Sequence, residues 1–180
     1  METTPKNKLT LEEEKLLNGL SNYLDIPFYY YGSVQRNDYI SGKSDIDVAI
    51  FTDNEKSVMV KMQHYLNVKK DSFKRVLWKL KKNNTVTYGY KLKYYKKNGM
   101  QIEFAIYDEK FKNDMIEFQN NTISIPFYIT WMLNILKIIY YKFNLISLPV
   151  YNSLKRKIFS IADGTGTDED FIVLTNSKKY

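Results

Sequence analysis

The chain has 180 residues, 44% of them hydrophobic, with 27 Lys or Arg against 20 Asp or Glu and a net charge of +7. That is enough for one apolar core of an ordinary single domain. With no cysteine and one histidine, a disulfide scaffold, a thiol nucleophile, thiolate zinc sites and His-based centres are excluded, which leaves oxygen ligands as the available metal chemistry.

The elements follow from local pattern. Thr10 followed by Glu13 is a capping box, and Leu11, Leu16, Leu17, Leu20 and Leu24 recur at helical spacing, so a helix is predicted over 10–24. Asp25 and Pro27 end it, and the aromatic run 28–31 reads as a strand broken by Gly32 and Ser33. Residues 46–51 predict a second strand buried on both faces, and a helix over 55–66 returns the chain. Residues 73–80 fit a strand or a helix, the alternation of Val76, Trp78 and Leu80 favouring the strand. Strands over 86–95 and 100–107 flank Asn98 and Gly99, a hairpin signal that makes them antiparallel neighbours. A short helix near 108–118, a long helix over 126–147 opened by Ser124 and Pro126, and a helix over 150–162 complete the set, with a loop after Asp163. The division expected is a core over 1–120 with C-terminal helices over 121–180 packed on it.

Residues 123–148 are strongly apolar, but Asn134, Lys137, Lys142 and Asn144 interrupt them, so a buried helix is expected and no membrane span. The opening METTPKNK lacks an apolar signal segment, which makes an intracellular, cytoplasmic location the expectation. The positive charge is concentrated. Residues 69–97 hold eleven Lys or Arg and one acid, Asp71, interleaved with Trp78, Tyr88, Tyr90, Tyr94 and Tyr95. Such a segment suits a surface that tracks nucleic-acid phosphates while rings offer stacking faces, and equally a solvated lysine-rich sheet face.

Chemistry gathers in the stretch YGSVQRNDYISGKSDIDVAIF, residues 31–51. Asp45 and Asp47 lie two positions apart on a strand, so both carboxylates project from one face, where they repel unless cations sit beside them. Glu103 interrupts the otherwise apolar strand Ile102, Phe104, Ala105, Ile106, where a charge must be paired. A hairpin strand laid beside the aspartates makes these three an all-oxygen site, which suits Mg²⁺ or Mn²⁺ and phosphoryl transfer. Gly32 permits close approach of a phosphate, which the following N–H groups and the Ser33 hydroxyl can hold. Lys137, among apolar residues, is within reach of a triphosphate, and Tyr140 or Tyr141 of a base, although core and snorkelling roles are open to each.

This pattern, YGS, an eleven-residue gap from Ser33 to Asp45 that ends in Ser44, then DIDV and a later IEF strand, resembles the DNA polymerase beta superfamily of nucleotidyltransferases over about residues 28–107. The resemblance implies an α/β fold with a mixed, mainly antiparallel sheet flanked by helices. It also implies two divalent metals on Asp45, Asp47 and Glu103, with Glu103 activating the acceptor hydroxyl. Gly32 and Ser33 would grip the triphosphate, with Ser44 ahead of the aspartates as a further nucleotide contact. Asn37 stands where small bacterial members carry glycine, and a left-handed conformation is the expectation there. The reaction implied transfers a nucleoside monophosphate from an NTP to a hydroxyl, with release of pyrophosphate. A nucleic-acid 3′-hydroxyl is the first acceptor to consider. A protein or small-molecule acceptor, and an inactive nucleotide- or RNA-binding domain, are the alternatives. Oligomeric state is not legible from the sequence.

Overall fold

The computed structural model describes residues 1–80, 85–97, 99–123, 126–163 and 171–174. Helix α1 (Leu11–Leu24) starts as its capping box requires: Thr10 Oγ1 accepts from the Glu13 N–H at 3.3 Å, and Glu13 Oε2 accepts from the Thr10 N–H at 2.7 Å. It stops where Asp25 turns left-handed (φ 56°) and bonds back to the last turn. Then come β1 (Tyr29–Tyr31), a 3-10 turn over Gly32–Gln35, β2 (Ile46–Thr52) and α2 (Glu55–Leu66). After these the chain forms β3 (Phe73–Leu80), β4 (Thr85–Tyr95) and β5 (Gln101–Asp108). Helices α3 (Lys112–Ile123), α4 (Phe127–Tyr141) and α5 (Leu148–Asp163) follow, then β6 (Phe171–Leu174).

The six strands form one mixed sheet in the order β1-β2-β5-β4-β3-β6. Only β2 and β5 run parallel; the other pairs are antiparallel. This is the expected α/β class with a mainly antiparallel sheet. The parallel pair sits in the middle of the sheet, so β2 is covered on both faces, as its apolar run requires. Ile46, Val48 and Ile50 pack with Leu17 and Leu20 of α1 and Met62 of α2 in one core. Ala49 and Phe51 lie in a second core on the opposite face with Tyr107, Trp78 and Met115 of α3. A third cluster joins α4 to α5 through Ile129, Leu133, Leu136, Tyr151 and Ile158.

Local chemistry accounts for the differences from expectation. The short helix near 108–118 is instead a 3-10 turn over Glu109–Phe111 followed by α3, because the Asp108 carboxylate accepts from the Lys110 N–H at 3.0 Å and tightens the entry. Helix α4 ends at Tyr141 rather than near 147, since Asn144 adopts φ 52° and the chain turns back onto the Ile138 and Ile139 carbonyls. Asn37 is not left-handed; in that loop Gly42 supplies the positive φ, at 70°. Ser124, expected to open α4, Asn98 of the hairpin and the loop over 164–170 lie outside the described residues. Strand β6, which pairs with the edge of β3, was not expected. No described helix is long and apolar enough to cross a membrane.

Candidate active site

Strand register builds the site. Tyr31 of β1 stands opposite Asp47 of β2, Asp47 opposite Glu103 of β5, and Glu103 opposite Lys93 of β4. Residues paired in register share a face, so Tyr31, Asp47, Glu103 and Lys93 make one row across four strands. Asp45, immediately before β2, projects to that same face. The sheet therefore brings the two aspartates and Glu103 to one place, but it compensates them unequally.

Glu103 is held by the ammonium groups of Lys91 and Lys93, the latter 3.3 Å from Oε2. Burial pushes its carboxyl up, yet the two lysines outweigh that and hold it below the ordinary carboxylate range. No described side chain donates to the carboxylate of Asp45 or Asp47. Burial raises the Asp47 carboxyl well above its usual range, and the charges of Asp45 and Glu103 push it further. The Tyr31 phenol, fully buried in the same row, has no hydrogen-bond partner among the described residues and is also raised by burial. The donor chemistry of the aspartate pair fits a hard divalent cation: two carboxylates, neither ion-paired and one desolvated. Among the described residues no three acids, His or Cys gather closely enough to hold a metal together; Glu103 stands beside the pair with its oxygens turned to the lysines.

The glycine and serine abut the pair. Gly32 has φ 68°, and a Cβ built there would collide with the Asp47 carboxylate, 2.9 Å from its Cγ. Glycine is required twice, for its backbone and for the space. Ser33 is buried, and its hydroxyl donates a long 3.5 Å bond to the Asp45 carbonyl. The turn that ends β1 and the residues that open β2 are thus in direct contact.

The sequence profile of the nucleotidyltransferase domain matches residues 13–119, more than half of the chain. The chain belongs to the nucleotidyltransferase domain family. That agrees with its resemblance to the DNA polymerase beta superfamily. Among curated proteins, none matches it in sequence. Among solved structures, it is similar to a cytoplasmic RNA terminal U-transferase, at 14% identity and a TM-score of 0.40. It is similar also to Cid1, described by its RNA terminal uridylyl transferase activity, at 14% identity and a TM-score of 0.37. Each likeness covers 78% of this chain, which spans 44% and 43% of those two chains respectively.

In this nucleotidyltransferase domain the loop between Ser33 and Asp45 is fixed from beneath by ionic contacts. Arg36 donates two bonds to Asp38, at 2.8 and 3.2 Å. Lys137 of α4 reaches the same carboxylate at 3.0 Å, the Asp38 carbonyl at 2.5 Å and Ser44 Oγ at 3.2 Å. Ser44 Oγ also accepts from the Ile40 N–H at 3.0 Å. Arg36, Asp38, Ser44 and Lys137 are all buried. Burial lowers Lys137 from the usual lysine range despite Asp38. Burial opposes ionisation of Asp38 as well, but Arg36 and then Lys137 bring it below the carboxylate range. Ser44 and Lys137, both singled out from the sequence, are thus brought together as partners of each other, and Lys137 is also a partner of Asp38. Tyr140 stacks on Tyr151 at 4.5 Å and lies edge-on to Tyr141 at 4.8 Å.

Sequence reasoning missed Asp38, whose only signal was the Arg36-x-Asp38 spacing in a loop. It also missed Lys155, within the basic run 155–157 of α5. Lys155 draws the Asp47 carboxyl downward and also acts on Lys137, and it carries no ion pair among the described residues. It is a cation on α5 whose charge reaches Asp47.

Proposed function

We propose that this domain transfers a nucleoside monophosphate from an NTP to the 3′-hydroxyl of a nucleic acid, with release of pyrophosphate. One observation carries the reading: the Gly32-Ser33 turn lies against two aspartates that no described side chain pairs, Asp47 being desolvated as well, an anion grip beside an anion pair, which makes chemical sense when cations and a polyphosphate lie between them. Asp45 and Asp47 would hold divalent metal, Mg²⁺ or Mn²⁺, with Glu103 beside them. Such ions, when bound, neutralise phosphate charge and steady the attacking and leaving oxygens.

The remaining steps belong to the chain. Gly32 gives room for a phosphate, and the Ser33 region supplies donors. Lys155 offers an unpaired ammonium to the triphosphate from α5, while Lys137 keeps the loop in place from below. Glu103, kept ionised by Lys91 and Lys93, is ready to accept the proton of the attacking hydroxyl. Positioning and charge supply most of the acceleration in such reactions. The basic segment 69–97 favours a nucleic-acid acceptor over a protein or small molecule. An intracellular site of action belongs to the same proposal.

The test incubates the protein with each labelled NTP, Mg²⁺ or Mn²⁺, and RNA, DNA and protein acceptors, alongside the Asp45→Ala/Asp47→Ala double variant. Pyrophosphate release with elongated RNA or DNA, lost in the double variant, supports the reading. Label on protein alone reassigns the acceptor. No metal-dependent pyrophosphate release with any pair of substrates refutes the reaction.

A further inference from the structure

The acidic row has two flanks, and they are unlike. On the β1 side lie Gly32 and Ser33, suited to a triphosphate. On the β4 side lie Lys91, Lys93 and, two residues on, Tyr95, which alternation places on the same face as Lys93 and Glu103. Register pairs Tyr95 with Gln101, one residue before Ile102, just as Asp45 is one residue before Ile46, the partner of Ile102. Tyr95 thus sits two strand spacings from Asp45, on the order of 10 Å.

Tyr95 differs from every other described aromatic of the basic segment. Trp78 is buried beneath Lys91. The Tyr88 ring is covered by Arg75 and Lys110, and its hydroxyl is bonded to Lys110 at 3.1 Å. Tyr90 and Tyr94 pack against the core of the opposite face. Tyr95 is 63% exposed, with no described ring or cation stacked on it. Around it stand Lys93, with its side chain 64% exposed, and the exposed Lys96, Lys97 and Gln101. The turn that carries Lys96 is ordered by bonds from the Lys96 N–H to the Met100 carbonyl and from the Gly99 N–H to the Lys96 carbonyl, both 3.0 Å.

We propose that the C-terminal end of β4 is the acceptor track: a single-stranded nucleic acid stacks a base near its 3′ end on Tyr95, while Lys93 and Lys96 hold the adjacent phosphates and deliver the terminal hydroxyl to Glu103. Stacking on one ring tolerates any base, so the track reads single-strandedness rather than sequence. This rests on the nucleic-acid reading of the acceptor.

The test measures anisotropy of a 5′-fluorescein ten-residue RNA without NTP, over a salt series, together with steady-state elongation. Tyr95→Ala should weaken RNA binding about tenfold or more, as loss of a stacked base does, and Tyr95→Phe should restore it. The KM for RNA should rise in Tyr95→Ala while the KM for NTP stays unchanged. Lys96→Gln should flatten the salt dependence by about 0.7 in the log–log slope, the value for one single-strand phosphate contact. Thermal midpoints confirm that these surface variants are folded. If Tyr95→Ala binds and elongates RNA like the wild type, the track is wrong and the reaction stands. If the wild type elongates no nucleic acid at all, the acceptor reading fails, and the track with it.

Discussion

The Asp47 carboxylate occupies the space that a side chain on Gly32 would take. Gly32→Ala must therefore strain a backbone at φ 68° and also displace an aspartate. The backbone alone costs about 1–2 kcal/mol, and a displacement near 1 Å costs on the order of 100-fold in rate. Gly42→Ala is the control. Its φ is 70°, but its added Cβ meets only Thr10 Cγ2 at 3.5 Å, so a similar loss of stability should leave nucleotidyl transfer near the wild-type rate. Denaturant melts beside turnover measurements check both. Equal activity losses in the two variants would show that backbone strain, and not contact with Asp47, is what matters at Gly32.

Asp47 is a group the fold holds at a cost. Its ionised form is disfavoured by burial and by two neighbouring acids, so removing the charge should relieve the apo protein. Asp47→Asn is expected to abolish transfer while raising the unfolding free energy measured by denaturant melts with EDTA, by about 1 kcal/mol for each unit of raised pKa. The gain should appear at neutral pH and shrink as pH falls into the range where Asp47 is protonated anyway. A destabilised Asp47→Asn protein would mean that the carboxylate has a stabilising partner in solution.

Asp38 behaves in the opposite sense. Held below the usual range by Arg36 and Lys137 despite its burial, it stays ionised in the fold at pH values where the unfolded chain takes up a proton. Its contribution is therefore complete above the ordinary Asp value of about 4 and is lost as pH falls through the folded-state value. Asp38→Asn leaves Arg36 and Lys137 buried without their counter-charge, at about 3–5 kcal/mol near pH 7. Chemical denaturation from pH 7 to pH 3 should show that difference narrowing as the wild type loses its advantage. A difference that does not change with pH would rule out the ion network as its source.

Much of this was legible because it is local. Thr10 with Glu13, the antiparallel pairing of β4 with β5, and the doubly buried run 46–51 were each announced by nearby residues, and the two-residue period fixed Asp45 and Asp47 on one face. What depends on distant partners was not legible. Nothing near Lys137 in the chain announces Asp38, nearly a hundred residues earlier, and a half-apolar helix position reads alike whether its ammonium meets a phosphate or a buried carboxylate. A hairpin strand laid beside the aspartates was expected without a direction, and periodicity could not supply one; the parallel pairing of β2 with β5 sets Asp47 against Glu103. Lys91 and Lys93 looked like ordinary members of a basic run until register placed Glu103 between them and Asp47.

That placement bears on Glu103 itself. As the acid nearest the acceptor flank it must remain ionised to take a proton, and the two lysines keep it so. Glu103→Gln preserves size and oxygen acceptance but removes the charge, so transfer should fall by about 10² to 10⁴, the usual contribution of a positioned base, while binding of a labelled NTP persists. Lys91→Met acts on the same group through its environment. With one ammonium gone, the Glu103 carboxyl should rise toward its ordinary range, and the acid limb of the rate profile should move to higher pH. Rates for wild type and Lys91→Met between pH 5 and pH 9 measure this directly. A profile that keeps its acid limb while dropping uniformly in height would assign Lys91 to shape alone and remove the lysines from control of the base.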